Sequence, residues 1–165
     1  MRLSSHLARV AGVTLALGHD YRAKVRLHAG STWSPWSSSS TFVAGRTEET
    51  SSAITYGRGW RRIVSRGASG RTVRYATGSG ASALYTFTGR AIAWVSPVGP
   101  TRGSARVYID GHLVGGVNLH RSGFAARRIV FRTWWRSSGT HTIKVVGLGT
   151  AGHSRIDVDA FAVIR

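Results

Sequence analysis

Short stretches in which apolar and polar residues alternate, separated by glycine-rich turns, restrict what this chain can fold into. Residues 21–27 alternate strictly, with Tyr21 and Leu27 on one side and basic residues on the other. Similar alternation recurs at residues 73–75, 85–87, 92–94, 105–109, 117–119, 129–131, 143–145 and 156–164. A period of two is typical of half-buried β-strands, and no segment sustains the apolar period of a helix. We therefore predict an all-β fold, an antiparallel β-sandwich or jelly roll.

Individual positions in these strands carry more specific expectations. Asp110 and Gly111 between two alternating runs predict a tight hairpin, because this pair favours the turn that matches strand twist. Trp94 fits a core position. Ile129 and Phe131 are predicted to face the core, with the arginines that flank them facing out.

The composition bounds the size and chemistry of the protein. The 165 residues provide room for about one domain and a fragment of a second. Cysteine is absent, which excludes disulfides and thiolate metal sites. The net charge is +17, but 21 of the 23 basic residues are arginine, which we interpret mainly as codon bias. The charge therefore does not by itself establish nucleic-acid binding.

The N-terminal apolar stretch is too short to predict a transmembrane helix. Residues 10–18 are far shorter than the roughly 20 residues that a transmembrane helix needs. The stretch follows Arg2 and Arg9 and so mimics a signal peptide. No clean cleavage site follows it, and we expect that it is not a signal peptide.

Changes in composition divide the chain into three parts. Residues 37–53 are rich in Ser and Thr, which predicts a boundary. We predict an N-terminal unit at residues 1–44, a linker at 45–53 and a β-sandwich at 54–165. Glu48 and Glu49 fall in the predicted linker and are expected to be solvated.

The N-terminal unit resembles the end of a fibronectin type III domain. That family carries Leu-x-Pro-x-Thr-x-Tyr before its sixth strand; here Leu15 and Tyr21 keep the Leu and Tyr, with Leu17 and His19 at the other two places. Residues 30–37 are similar to the loop before the family's last strand. The resemblance covers about three strands of seven and implies that Tyr21 is a tyrosine-corner residue. It also implies a truncated domain whose true start lies upstream.

Residues 54–165 resemble the galactose-binding-like β-sandwich modules of secreted bacterial hydrolases and cell-surface proteins. The resemblance rests on residues 85–89, 92–95, 103–111, 139–143 and 156–161, whose order and spacing fit that fold. Such modules bind varied glycans, and the fold alone does not name a ligand. The resemblance implies a secreted or cell-surface location and an appendage to a larger protein.

Tryptophan carries the clearest functional signal. Sugar rings present apolar C–H faces that stack on aromatic rings. Trp134 and Trp135 are adjacent, so on a strand they point to opposite faces and one of them is expected to be exposed. We take that residue and Trp60 as candidate ligand contacts, with structural packing as the alternative.

Polar and basic residues extend the candidate set. Arginine clusters at residues 58–74 and 121–136 contain no acidic residue. They suit anionic glycans or other anionic polymers, or are simply a solvated basic face. From these clusters and the neighbouring strand we take Arg62, Arg128 and Tyr108 as candidate binding residues.

The two aspartates of the last strand are the candidate metal ligands. Asp157 and Asp159 lie two residues apart, so on one strand they share a face. They could ligate Ca²⁺, which needs six to eight oxygen ligands, or pair with arginines, which is the simpler interpretation. We predict no catalytic residue and no obligatory cofactor.

Together these features predict a non-catalytic extracellular module that binds polysaccharide or cell-wall glycan. Two alternatives remain open: a structural spacer with no ligand, and a salt-sensitive electrostatic binder of anionic polymers. A single groove lined by Trp60, Arg62 and Trp135 would argue against the spacer.

Overall fold

The computed structural model describes residues 16–165. Residues 10–15 of the signal-like stretch, and Leu15 of the fibronectin-like motif, lie outside the described residues. No helix in residues 16–165 is long and apolar enough to cross a membrane.

A short 3-10 helix spans Ser69–Arg71. The strands are β1 (Asp20–Tyr21), β2 (Lys24–Val25), β3 (His28–Ala29), β4 (Thr32–Trp33), β5 (Ser37–Ser38), β6 (Phe42–Glu48), β7 (Ile54–Tyr56), β8 (Arg61–Val64), β9 (Thr72–Ala76), β10 (Ser82–Val98), β11 (Ser104–Ile109), β12 (His112–Asn118), β13 (Ala125–Gly147), β14 (Ile156–Val158) and β15 (Ala160–Ile164).

The described strands pair antiparallel in one large and one small sheet, which confirms the predicted all-β class. The large sheet has the order β1-β6-β15-β10-β13-β11-β12, and β7 also pairs with β10. The small sheet has the order β14-β9-β8. Two further pairs, β2 with β5 and β3 with β4, belong to the N-terminal segment.

The core holds the inward residues that the alternation predicts. Trp94 and Phe161 are fully buried, and the Tyr85 ring stacks on Phe161 at 5.3 Å between centroids. Burying one such aromatic side chain contributes about 1.5–3 kcal/mol. The core therefore accounts for the alternating pattern in β10, β11, β13 and β15.

The prediction that Ile129 faces the core is wrong. Trp94 pairs with Phe131, and Val95 pairs with Ile129, so the intervening Val130 is an extra residue on β13. Such a bulge shifts the alternation by one residue and exchanges the two faces of the strand. Val130 consequently packs against the core, and Ile129 is 61% exposed.

The hairpin at Asp110 and Gly111 is confirmed. Both residues have positive φ, 50° and 82°, as a type I′ turn requires. The turn joins β11 to β12, which forms one edge of the large sheet.

The predicted linker at residues 45–53 begins inside a strand. β6 pairs with β15 in register, with Gly45 opposite Val163 and Glu48 opposite Ala160. This long-range pairing carries Phe42–Glu48 into the large sheet, so the sheet begins earlier in the sequence than the predicted sandwich, whose start at residue 54 is too late. Pairing with β15, which lies near the C-terminal end of the sequence, determines the structure of this segment in spite of its local composition.

The predicted single strand at residues 21–27 is also divided. It forms β1, which pairs with β6, and β2, which pairs with β5. Val25 and Leu27 remain 62% and 78% exposed, because the small β2–β5 pair has no core to cover them. The Tyr21 hydroxyl donates a hydrogen bond to the Ala16 carbonyl at 3.1 Å.

Candidate functional site

A shallow groove lies on the face of the large sheet that points away from the core. The alternation that sends Ile92 and Trp94 inward leaves the small residues beside them facing outward. The groove has a volume of about 280 Å³. Its floor is formed by Ala44 and Gly45 of β6, Ala91 and Ala93 of β10, and Ala162 and Ile164 of β15.

Trp134 stands beside this floor. It pairs with Ala91 across the β10–β13 ladder, and its side chain is 74% exposed. Leaving a large aromatic surface in water forgoes most of the free energy that its burial would supply. A ligand that covered this ring would recover that free energy.

Trp135 points the opposite way, as strand alternation requires. Its ring lies 5.9 Å from Phe87 and stacks on His141 at 3.8 Å with an interplanar angle of 12°. Trp135 is partly buried against the core. Of the two adjacent tryptophans, Trp134 is therefore the one available to a ligand.

Arg132 supplies the charge of the groove. It pairs with Ala93 two residues before Trp134, so both side chains lie on the same face of β13. It is the charged member of the described residues that line the groove, where no acidic residue occurs. The lining of the groove is almost entirely apolar, so Arg132 contributes its aliphatic stem to the groove, while the residue as a whole is exposed on the same face.

Trp60 and Arg62 lie elsewhere. The Trp60 ring packs against Tyr56 at 5.0 Å, and its Nε1 is buried with no hydrogen-bond partner in the described part of the chain. Arg62 is exposed on β8, opposite Arg74. A separate cleft of about 460 Å³ nearby is lined by Gly59, Arg61, Tyr75, Thr77 and Gly78.

Tyr108 and Arg128 also stand apart from the groove. Tyr108 lies on β11 opposite Lys144, and Arg128 lies on β13 opposite Ser96. Of the candidate binding residues, Trp134 is the one that lines the groove. The sequence showed no signal for the alanine floor, because its residues come from three distant segments.

Asp157 is held by two arginines. Arg102 Nε donates to its Oδ2 at 3.2 Å, and Arg155 Nε donates to its Oδ1 at 2.9 Å. The Asp157 side chain is fully buried, while those of Arg102 and Arg155 are 12% and 19% exposed. These contacts match the arginine-pairing interpretation of Asp157.

Asp159 lies in a different environment, close to Glu48 and Glu49, which the sequence did not identify as site residues. The Ser69 N–H donates to Asp159 Oδ1 at 2.8 Å, and the Ser69 hydroxyl donates to Glu48 Oε1 at 2.8 Å. The Thr72 hydroxyl donates to Glu49 Oε1. The second oxygen of each carboxylate is buried with no hydrogen-bond partner among the described residues.

The expectation that Glu48 and Glu49 are solvated is wrong. Glu49 is only 1% exposed, and its N–H donates to the Asp159 carbonyl at 3.2 Å. The pairing of β6 with β15 brings both glutamates to Asp159. Burial raises the pKa of Asp159 to about 7; the Ser69 hydrogen bond opposes this, and the charges of Glu48 and Glu49 add to it. Two consecutive glutamates in a chain with six acidic residues were the available sequence signal.

The three carboxylates have the donor chemistry of a Ca²⁺ site. Ca²⁺ takes six to eight oxygens, and carboxylates bind it through one or both oxygens. However, within residues 16–165 no group of three or more His, Cys, Asp or Glu side chains is placed to hold a metal ion. Burying Glu49 and Asp159 beside Glu48 is costly while all three are charged, and protonation of Asp159 relieves part of that cost.

We expect metal-free protein to lose stability as the pH rises from about 4 to about 7. An unfolded Asp has a pKa of about 3.9, so Asp159 keeps its proton in the folded state to higher pH than in the unfolded state. That contribution is complete below pH 4 and is lost as the pH passes the folded pKa. Thermal unfolding in EDTA across this range measures it.

The matched control is Asp159→Asn, which keeps the Ser69 contact and removes the charge. In EDTA, the Tm of this variant relative to the wild type should rise with pH. A difference in Tm between the two proteins that does not change with pH would contradict a raised pKa of Asp159.

The chain has sequence relatives among larger proteins. No protein-family model matches it. The "A type blood N-acetyl-alpha-D-galactosamine deacetylase" of Flavonifractor plautii is 36% identical over 93 residues, which is 56% of this chain and 11% of that protein. The "A type blood alpha-D-galactosamine galactosaminidase" of the same organism is 37% identical over 75 residues, 46% of this chain and 7% of that protein. The chain thus spans about a tenth or less of the length of these relatives.

Solved structures share the fold. The CBM36-1 domain of a multidomain xylanase from the hindgut metagenome of Trinervitermes trinervoides matches with a TM-score of 0.53 and 15% identity, covering 74% of this chain and 96% of that one. A family two carbohydrate esterase from Cellvibrio japonicus matches with a TM-score of 0.54 and 14% identity, covering 74% of this chain and 34% of that one. The catalytic domain of a GH87 alpha-1,3-glucanase matches with a TM-score of 0.50 and 16% identity, covering 73% and 28%. At these identities the likeness is one of fold.

Proposed function

We propose that this chain is a non-catalytic module that binds polysaccharide or cell-surface glycan through the groove at Trp134. The observation that carries this proposal is the 74% exposed indole beside a floor of alanines. A sugar ring has one apolar C–H face, which stacks on an aromatic ring, and polar edges, which need hydrogen-bonding groups. The floor residues are mostly small, which leaves room for a ring beside Trp134, and Arg132 on the same face carries hydrogen-bond donors.

The extent of the structural matches supports a binding role rather than a catalytic one. The match covers 96% of a carbohydrate-binding module, but 34% of the esterase and 28% of the glucanase chain. The sequence matches are likewise small parts of proteins named for action on galactosamine-containing substrates. An appendage that holds a partner enzyme on its glycan fits this distribution, and so does a secreted or cell-surface location.

The finer family assignment is part of this proposal. We assign the sandwich that includes β6 and residues 54–165 to the galactose-binding-like modules, and we assign the N-terminal segment to the fibronectin type III family. The hydrogen bond from the Tyr21 hydroxyl to the backbone five residues upstream supports a tyrosine corner. The Arg26 guanidinium lies 4.0 Å from the Trp33 ring and 4.6 Å from the Trp36 ring, so side chains of the N-terminal segment pack against one another.

Two other functions fit some observations. A spacer without a ligand fits the separation of Trp60, Arg62 and Trp135, which have different neighbours. An electrostatic binder of anionic polymers fits the net charge of +17. Neither accounts for an exposed tryptophan beside an apolar groove.

Chromatography on immobilised neutral polysaccharides and on heparin, each across a salt gradient, tests the proposal. We expect retention on at least one neutral glycan that persists at high salt, because stacking is not screened by ions. Retention on heparin alone that is lost at modest salt and is equal for wild type and Trp134→Ala would overturn the proposal in favour of electrostatic binding. Retention on neither column would favour the spacer.

A further inference from the structure

We infer that the groove at Trp134 takes an acidic sugar, a hexuronate whose ring stacks on Trp134 and whose carboxylate binds Arg132. The inference rests on the proposed glycan-binding function and names the ligand class of the same groove. It comes from the position of Arg132 relative to the Trp134 ring and from the lack of acidic residues in the described lining of the groove.

The spacing of the two residues suits such a ligand. Arg132 and Trp134 lie two residues apart on the same face of β13, opposite Ala93 and Ala91. Residues so related are about 7 Å apart along a strand. The flexible arginine side chain can therefore reach a carboxylate at the edge of a sugar ring that covers the indole. A guanidinium binds a carboxylate through two parallel hydrogen bonds, which orients the ligand as well as holding it.

The charge of Arg132 is not neutralised within the described protein. No carboxylate of residues 16–165 lies within salt-bridge distance of it. The carboxylates of Glu48, Asp110 and Asp157 have other basic partners, and Glu49 and Asp159 are buried. An anionic ligand in the groove would meet no acidic residue of the described lining, and the exposed Arg132 side chain lies on the same face of the sheet.

The competing explanation for any preference for acidic sugars is the net charge of +17. That charge attracts all anions in a way that does not depend on one arginine. A test must therefore change one charge in the groove and one charge outside it. Arg62 is the matched control, because it is exposed on β8 in the other sheet and its substitution changes the net charge equally.

Isothermal titration with short uronate oligosaccharides and their methyl esters makes the comparison at 0.15 M NaCl. Oligomers of galacturonate, glucuronate and mannuronate each keep the same ring in acid and ester, and only the charge differs. We expect at least one acid to bind wild-type protein about tenfold or more tightly than its ester, since hydrogen bonds to charged groups are the stronger class. Arg132→Gln should remove this ratio by weakening acid binding more than ester binding, while Arg62→Gln should keep the ratio.

The other outcomes separate the inference from the proposed function. Equal affinity for acid and ester in all three pairs would overturn the acidic-sugar inference, and salt-resistant retention on neutral glycan would still support the proposed function. Equal losses in Arg132→Gln and Arg62→Gln would assign the preference to net charge and overturn the inference. Salt-resistant retention on no neutral glycan, with no difference between acid and ester, would overturn both.

Discussion

Replacing Trp134 by alanine is expected to weaken glycan binding by about 30-fold or more. A tryptophan at the centre of a binding surface typically contributes about 2 kcal/mol or more when truncated, and 1.4 kcal/mol corresponds to a factor of ten. Trp134 provides the large aromatic surface of the groove, whose floor otherwise consists of small and aliphatic residues. Its loss would leave a sugar ring with nothing to stack on.

The same substitution should change stability little, because the side chain is 74% exposed and buries little surface on folding. Isothermal titration with the glycan retained best at high salt measures the affinity, and circular dichroism checks the fold. Trp36→Ala is the matched control: Trp36 is 58% exposed, lies in the N-terminal segment and is not part of the groove. Equal losses in the two variants, or none in Trp134→Ala, would exclude the groove as the binding site.

Replacing Asp157 by alanine is expected to lower the free energy of unfolding by about 3–5 kcal/mol, the range measured when one partner of a buried ion pair is removed. Arg102 and Arg155 are 12% and 19% exposed and would be left without their carboxylate. Water reaches these guanidiniums poorly, so solvation replaces the lost contacts only in part. The Arg155 guanidinium also lies 4.1 Å from the Tyr75 ring, so its displacement would disturb β9.

Denaturant unfolding at pH 7.5 measures this loss against Asp110→Asn. Asp110 also contacts a basic residue, with 2.7 Å between its Oδ2 and His141 Nδ1, but its side chain is 42% exposed. Asparagine tolerates the positive φ of 50° at this position, so the substitution removes the carboxylate charge and keeps the turn. An exposed pair is worth about 0–1 kcal/mol. Equal losses in the two variants would show that burial of Asp157 does not set the strength of its contacts.

Part of the candidate site follows from local pattern alone. The adjacency of Trp134 and Trp135 on a strand requires one to face out, and the structure places Trp134 there. Which of the two is exposed depends on the register of β13, and that register changes at the bulge beside Val130. The same bulge turns Ile129 outward, against the expectation from alternation. A single extra residue in a ladder has no signature in the alternation itself.

The grouping of Glu48, Glu49 and Asp159 depends entirely on contacts between distant parts of the chain. Glu48 and Glu49 lie about 110 residues from Asp159 in the chain. Only the pairing of β6 with β15 brings them together, and the Ser- and Thr-rich composition around them indicates a linker instead. Asp157 and Asp159, by contrast, are neighbours in sequence with separate partners, because the expected single last strand is divided. Asp157 lies in β14 of the small sheet, and Asp159 lies in the break before β15 of the large sheet.

The sequence by itself determined the all-β class, the turn at Asp110 and Gly111, and the burial of Trp94, because each depends on residues that are close along the chain. Tertiary structure alone decided the alanine floor beside Trp134, the membership of β6 in the large sheet and the meeting of Glu48 with Asp159. These features depend on which distant strands pair and in what register. Many pairings satisfy the same alternation, and the packing of the whole core selects among them.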